Sequence, residues 1–397
     1  MDKDNRLNCF SKKQDFRRVG SRVYIEKAKK ASLNGMDVLQ LYPYPNAKIP
    51  REILDRVKNE IFTQMNAPSD GILAFRKTIS RELKKELGLE YGAKDHIVVT
   101  NGAMHGLTLA VGAVIDPGDE ILLFSPCYFF DGIIELWGGI PVMVPLEEEK
   151  NYAYDFDRLE AAITEKTKAV IINNPNNPTG YLATKSDLER LAAIEKKYDL
   201  FVISDDSYNK MIFDGETNYN IACEPDMQER AILVRSFTKT YGMPGWRVGY
   251  CASNQKIKAV MKTIMEWMCL YGNYFAQLLA KEVMEHPTDW VDKETASFEM
   301  NIRKVCAYLE TSKLLSCILP KGGPFLYINT QKAIDLPSEE ISDLLLEKFG
   351  ISTTPGAYHY EEGHVRIPLG GSEKTIDRLI QRLEEFQEYC KKERARK

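Results

Sequence analysis

The sequence predicts an α/β protein: a large domain with a mostly parallel sheet flanked by helices, plus a smaller α+β domain. Three observations point there. From about residue 95, short β-rich runs alternate with amphipathic stretches. Those runs are almost continuously apolar, as strands buried on both faces are. After about residue 300 the alternation gives way to long helices around a few short strands. The expected division is 46–300 for the large domain, with 1–45 and 301–397 forming the small one.

Taken in order, Ile97-Val-Val-Thr100 reads as a strand and Gly102 to Val114 as a helix, ended by Asp116-Pro117-Gly118-Asp119. Ile121 to Phe124 is the next strand, and Pro141 to Leu146 follows a segment closed by Gly138-Gly139. Ala169 to Ile172 and Leu200 to Ile203 flank a helix from about Thr184 to Lys197. Ala231 to Ser236 and Arg247 to Ala252 complete the series. In such sheets a ligand lies outside the carboxyl ends of the strands, so Asn101, Ser125, Asn173, Asp205 and Ser236 are expected on one surface. The smaller domain reads as a long helix (about Asp289 to Ser316), Pro324 to Asn329, a helix from Ser338 to Phe349 and a short strand. His364 to Ile367 and a final helix from Ser372 to Lys391 follow. An amphipathic helix over about Arg22 to Leu33 is expected to pack on this domain.

Composition excludes several classes. The 397 residues are 44% hydrophobic and 28% charged with a net charge of −4, which offers no concentrated basic surface for nucleic acid or membrane. The basic end Lys391 to Lys397 reads as a solvated tail. The cysteines at 9, 127, 223, 251, 269, 306, 317 and 390 lack the close pairing of a zinc site and read as buried free thiols in a reducing compartment, with no metal. The charged start, Met1 to Arg6, does not read as a secretory signal. No run reaches the roughly 18 apolar residues of a membrane span. The expectation is a soluble, cytoplasmic protein.

The richest stretch is Ser236-Phe-Thr238-Lys239, with Arg247 in Trp-Arg-Val-Gly249 eight positions on. A strand end holds such a lysine rigidly, and the hydroxyls and guanidinium beside it suit a phosphate monoester. A Schiff-base lysine beside a phosphate clamp is the mark of pyridoxal phosphate (PLP) chemistry. Three further runs fit. Asn173 to Gly180 is a turn rich in Asn, Pro and Gly that can aim an amide into a cleft. Asp205 and Tyr208, in Ser204-Asp-Asp-Ser-Tyr208, put a carboxylate and a phenol at a strand end, although Asp is also a common helix cap. Thr100-Asn-Gly102-Ala103-Met104 turns a strand into a helix, a natural phosphate seat.

Together these runs resemble the fold-type I PLP-dependent enzymes, specifically the class I/II aminotransferases of the aspartate aminotransferase superfamily. The likeness covers about residues 20 to 390. It includes the Asn-Pro-Thr-Gly loop, Ser-Asp-x-x-Tyr, Ser-x-x-Lys, Trp-Arg-Val-Gly-Tyr and the late Arg366 of Gly363-His-Val-Arg366. The resemblance implies that Lys239 forms the internal aldimine and then moves the proton at the substrate Cα. It implies that Asp205 pairs with the pyridine nitrogen, and that Asn177 and Tyr208 bond the phenolic oxygen. Ser236, Thr238, Arg247 and the Gly102, Ala103 and Met104 backbone would hold the phosphate, and Tyr128 would stack on the ring. Arg366 would grip the substrate α-carboxylate, a bidentate task suited to guanidinium, with Asn177, Tyr42 and Pro43 beside the substrate. A homodimer acting on an amino acid and a 2-oxo acid is likewise implied.

Two positions depart from the family pattern. Pro43 stands where a glycine backbone usually lines the substrate pocket, and proline donates no N–H. Asn66 stands where the family supplies a tyrosine from the neighbouring subunit to the phosphate. Tyr42, Tyr44 and His105 are candidates for the pocket wall, His105 reading first as a packed helix residue. These departures suggest an unusual amino-acid substrate, or a lyase, cyclase or oxidase outcome on the same fold, since one lysine serves all of these reactions. A non-catalytic module would be expected to have lost Lys239 or Asp205.

Overall fold

The computed structural model describes residues 19–46, 48–60, 66–286 and 289–396. The charged start, Cys9 and Lys397 lie outside the described residues. Helices α1 (Gly20–Leu33), α2 (Arg51–Val57) and α3 (Leu73–Leu87) precede the alternating region. That region runs β1 (Ile97–Thr100), α4 (Ala103–Val114), β2 (Glu120–Ser125), α5 (Asp131–Leu136), β3 (Ile140–Pro145) and α6 (Phe156–Ala161). It continues β4 (Thr167–Asn173), α7 (Lys185–Tyr198), β5 (Phe201–Asp205), β6 (Ala231–Ser236), α8 (Phe237–Thr240) and β7 (Gly249–Ala252). Then come α9 (Gln255–Cys269), α10 (Tyr274–Glu285), α11 (Asp289–Glu310), β8 (Ser316–Cys317), β9 (Phe325–Asn329), α12 (Ser338–Phe349), β10 (Thr354–Pro355), β11 (His364–Pro368) and α13 (Glu373–Arg396).

Local chemistry sets several of these boundaries. Thr184 and Asp187 form a reciprocal capping box that starts α7, and Asp199 in the left-handed region ends it. Gly88, at φ 72°, ends α3 in the same way. Asn254 and Asn273 accept from backbone amides to start α9 and α10.

Strands β1 to β7 form one sheet in the order β1-β7-β6-β5-β4-β2-β3. All its neighbours are parallel except β7, which runs antiparallel to both β6 and β1. Its strands are apolar on both faces because each face carries a core. Val98, Ile121, Leu123, Ile171, Ile203 and Val234 pack under α4 and α9. Val99, Leu122, Val170, Val202 and Leu233 pack with α3, α7 and α10 on the other face. The alternating side chains of each strand divide between the two. A second, antiparallel sheet, β10-β11-β9-β8, has its own core with α11, α12 and α13. Leu39 and the stretch Tyr208, Met211 and Phe213 belong to that core, so the polypeptide after β5 stitches the two bodies together.

The structure corrects three expectations. The long helix ends at Glu310 rather than near Ser316, because the Ser312 hydroxyl accepts from the amides of Leu314 and Leu315 and turns the chain. The strand expected from Arg247 begins at Gly249 and runs antiparallel. Not all thiols are buried: Cys223 and Cys269 are exposed and Cys317 is half-buried, all of them free. Among the described residues, no helix is long and apolar enough to cross a membrane, and no acidic, His or Cys cluster gathers to hold a metal.

One buried group opposes the fold. Glu195 on α7 is fully buried, and neither carboxyl oxygen has a hydrogen-bond partner among the described residues. Burial raises its pKa well above the ordinary value, opposed only by Arg230. Folding therefore costs progressively more as pH rises through and beyond the unfolded pKa of about 4.3. Glu195→Leu should raise stability by about 1–3 kcal/mol at pH 8. The gain in thermal midpoint should shrink towards pH 4, where the carboxyl is neutral in both states.

Candidate active site

The parallel sheet gathers the site because its strands end together. Asn173 closes β4 beside Asp205, which closes β5, and Ser236 closes the neighbouring β6. The Asn173 side chain donates to the Asp205 carbonyl at 2.8 Å and accepts from the Asn177 amide at 2.8 Å, fixing the loop that follows. The Asp205 carboxylate accepts from the Ser207 amide at 3.1 Å and hydroxyl at 2.5 Å. Burial pushes its pKa up to about 6, against those hydrogen bonds and Lys239. A buried carboxylate with so little local compensation awaits a cationic partner.

Lys239 is the third residue of α8, a single turn started by the Ser236 hydroxyl, which accepts from the Thr238 amide at 3.1 Å. Its half-buried side chain crosses the cleft and donates to the Pro43 carbonyl at 2.8 Å. The rings of Tyr44, Tyr208 and Phe325 surround the ammonium at 5.3, 5.8 and 5.9 Å. Burial, then Arg366 and Arg247, lower its pKa to about 7, with Asp205 opposing. This amine can lose and regain a proton near neutrality.

An anion cradle adjoins the lysine. Gly102, at φ 84°, enters α4 with no side-chain cap on the helix's first amides. A Cβ there would stand 2.4 Å from Arg247 Nη2, so the guanidinium lies directly over this backbone. Arg247 also donates to the Thr238 hydroxyl at 3.3 Å. A Cβ on Gly249 would meet the Arg235 carbonyl at 2.5 Å and the Gly102 backbone at 3.1 Å, so β7 and α4 approach as glycine alone allows. Ala103 and Met104 occupy the first turn of α4, and the Tyr128 hydroxyl contacts the Met104 sulfur at 3.6 Å.

Opposite stands Arg366 on β11, brought from the second sheet. It donates to Asn177 Oδ1 at 2.7 Å and to Thr354 Oγ1 at 3.1 Å, while Asn177 Nδ2 donates to the Tyr208 hydroxyl at 3.1 Å. Its guanidinium carbon lies 4.2 Å from the Phe325 ring centre. The buried Arg366 Nε has no hydrogen-bond partner among the described residues. Among the described residues no carboxylate neutralises this arginine, and burial lowers its pKa to about 10.

Behind the cleft, Arg235 is fixed bidentately by Glu86 at 2.8 and 3.0 Å and lies 3.5 Å from Asp206. Asp206 in turn accepts from Ser204 at 2.6 Å and Asn220 at 2.5 Å. Asn209 links this group to α8, donating to Glu86 at 3.3 Å and accepting from Thr240 at 2.9 Å. The two adjacent aspartates thus face opposite ways, one to the cleft and one to a structural arginine.

Other sequence candidates fall as follows. Tyr42 pairs its backbone with Gly370 and packs its ring edge-on against Phe298 at 6.1 Å, so Tyr44 is the tyrosine of that loop that meets Lys239. Pro43 contributes its carbonyl, an acceptor that proline retains. Asn66 is exposed and accepts from the Tyr271 hydroxyl at 3.1 Å. His105 takes the Asn101 amide on Nδ1 at 3.1 Å, and burial lowers its pKa, making it a neutral prop for the α4 start. The sequence reading missed Ser207, Thr354 and Phe325. Ser207 was detectable as a hydroxyl two residues after an aspartate at a strand end; the others come from distant elements and carry no local signal.

Lys239 should react with an amine-acylating reagent at pH 7 well ahead of the surface lysines, with a rate that rises through a midpoint near 7. Peptide mapping of the labelled protein checks this.

A phosphorylated pyridine aldehyde fits these residues. An amine poised near neutrality, a buried carboxylate without a cation, and an arginine over the bare amides of α4 match its aldehyde, ring nitrogen and phosphate. The family model "Aminotransferase class I and II" matches residues 42–383. An aspartate aminotransferase of Pyrococcus abyssi is 31% identical over 86% of this chain and 89% of its own. The aromatic-amino-acid aminotransferase 2 of Thermococcus litoralis is 30% identical over the same shares. The structure of Thermus thermophilus aspartate aminotransferase with maleate superposes with a TM-score of 0.90 at 25% identity, covering 95% of this chain and 99% of that one. The chain belongs to the class I and II aminotransferases: it is a PLP-dependent enzyme that moves an amino group between an L-amino acid and a 2-oxo acid.

Proposed function

We propose that the transfer takes place in the cleft between β11 and the ends of β4, β5 and β6, with Lys239 as its proton carrier. The observation that carries this reading is a lysine in the cleft set opposite a buried arginine that has no carboxylate partner among the described residues. Bound PLP supplies an aldehyde that condenses with amines and a ring that takes up the electron pair left when Cα loses its proton. Asp205 would meet its ring nitrogen, and Asn177 and Tyr208 its phenolic oxygen. Ser236, Thr238, Arg247 and the Ala103 and Met104 amides would hold its phosphate, with Tyr128 against the ring.

The chain's own residues do the rest. Arg366 binds the substrate carboxylate, and Asn177 ties that arginine to Tyr208, so substrate and cofactor sites share one hydrogen-bonded line. Lys239 takes the Cα proton and would return it to the carbon that was the cofactor's aldehyde, across the nitrogen, an advantage of proximity over any free base. The rings of Tyr44, Tyr208 and Phe325 surround the amine and keep water from it. The same reading assigns 46–300 to the cofactor domain and 1–45 with 301–397 to a small domain that carries Arg366. It also includes a cytoplasmic homodimer, as the family resemblance implies. Asn66 and Pro43 would reshape the substrate side, which favours an unusual amino acid.

Following the cofactor absorbance with single amino acids, L-aspartate and L-tyrosine among them, tests the reaction type. A transaminase stops after one half-reaction until a 2-oxo acid is added, whereas continued turnover without acceptor would overturn the reading. Lys239→Ala should lower kcat by about a hundred- to ten-thousand-fold, and borohydride reduction with PLP should label Lys239 alone. Gly102→Ala, which drives a Cβ into Arg247, should weaken cofactor binding about tenfold or more, read by equilibrium dialysis.

A further inference from the structure

Arg366 has a neighbour that the reaction does not use. His364 stands two residues before it on β11, so strand alternation puts both side chains on one face. The imidazole is buried. Its Nδ1 lies 3.0 Å from the Glu362 carbonyl, and its Nε2 lies 3.2 Å from the Glu148 carboxylate. Both ring nitrogens therefore face acceptors. A neutral imidazole has one N–H and would leave a lone pair against one of those oxygens; only the imidazolium satisfies both.

The surrounding groups close the account of charge. Glu361 lies 3.8 Å from Nδ1 and accepts from the Tyr152 hydroxyl at 3.1 Å. That hydroxyl is 3.4 Å from Nε2. The Tyr327 ring of β9 stacks on the imidazole at 4.8 Å, and Tyr327 is the register partner of Arg366. Asn329, also on β9, donates to Glu148 at 2.6 Å. Farther out, Lys332 acts on Glu148, Glu149 on Tyr152 and Arg366 on Tyr327. Glu148 and Tyr152 belong to the segment after β3, on the large sheet's side, whereas His364, Glu361 and Tyr327 belong to the second sheet. The histidine thus joins the two bodies two strand positions from the arginine, on the same face.

We propose that His364 is a positioning residue for Arg366: as an imidazolium it clamps the Glu148 segment to β11 and fixes the strand that presents the guanidinium. The inference rests on the reading of Arg366 as the carboxylate grip. Burial disfavours the ring's charge, but Glu148, Glu361 and the Glu362 carbonyl outweigh it, so its pKa is raised from the ordinary 6.5. The clamp is present below that raised value and is lost as pH climbs through it. Carboxylate affinity should fall in the same window.

The chain has five histidines, so the His364 ring signal of the 13C-histidine-labelled holoenzyme can be assigned with His364→Gln. The expected result is a titration above the ordinary histidine range that drops in Glu148→Gln. In the half-reaction with L-aspartate or L-tyrosine, KM should rise about five- to tenfold across the wild-type titration. In E148Q and H364Q, KM should be high and flat with pH while kcat stays within about twofold. A His364 that is neutral at pH 6, or a KM unchanged in both variants, overturns the proposal, as does a loss confined to kcat. Arg366→Gln separates the two readings: if it leaves KM unchanged the carboxylate grip itself fails, whereas a raised KM there alone sinks only the clamp. Should H364Q fold poorly, E148Q on its half-buried segment carries the test.

Discussion

Three cations, Lys239, Arg247 and Arg366, share one cleft, and among the described residues Asp205 is the carboxylate that acts on the lysine. Bringing like charges out of water is unfavourable, and the arrangement persists only because the rest of the fold holds each one separately. Lys239 hangs from a strand end and rests on a proline carbonyl. Arg247 lies over a glycine backbone. Arg366 is braced by an asparagine, a threonine and an aromatic face. Burial first, and then their mutual repulsion, lowers the lysine pKa to about 7, and the cleft keeps a surplus of positive charge suited to a phosphate and a carboxylate.

That surplus explains the construction behind the cleft. Asp205 and Asp206 are consecutive, yet strand alternation sends them to opposite sides. Asp206 is engaged by Arg235, Ser204 and Asn220, so it does not compete for the cleft's cations. Glu86 completes the tie through a bidentate pair. The network anchors α3, β5, β6 and, through Asn209, α8 in one rigid group, which is how a one-turn helix can hold a reactive lysine steady.

The departures from the family pattern acquire a physical meaning in this setting. Replacing glycine by proline at position 43 removes a donor and keeps the acceptor, and the acceptor is what Lys239 contacts. Asn66 pairs with Tyr271 on an exposed face, outside the hydrogen-bonded line that runs from Arg366 to Tyr208.

The sequence alone determined what depends on local order. Continuous apolar runs spelled a sheet with two covered faces, and Asn173, Asp205 and Ser236 were legible as strand ends on one surface, because parallel strands all finish on one side. Cap chemistry at Thr184 and the lysine-hydroxyl run at 236–239 were equally legible. Tertiary structure decided what depends on separation in the chain: that Phe325 and Thr354 frame Arg366, that Tyr44 rather than Tyr42 meets the lysine, and that His364 sits between two glutamates. No periodicity or motif encodes such meetings. They arise when two sheets with separate cores dock, and the resulting burial, not residue type, sets the charge of each group.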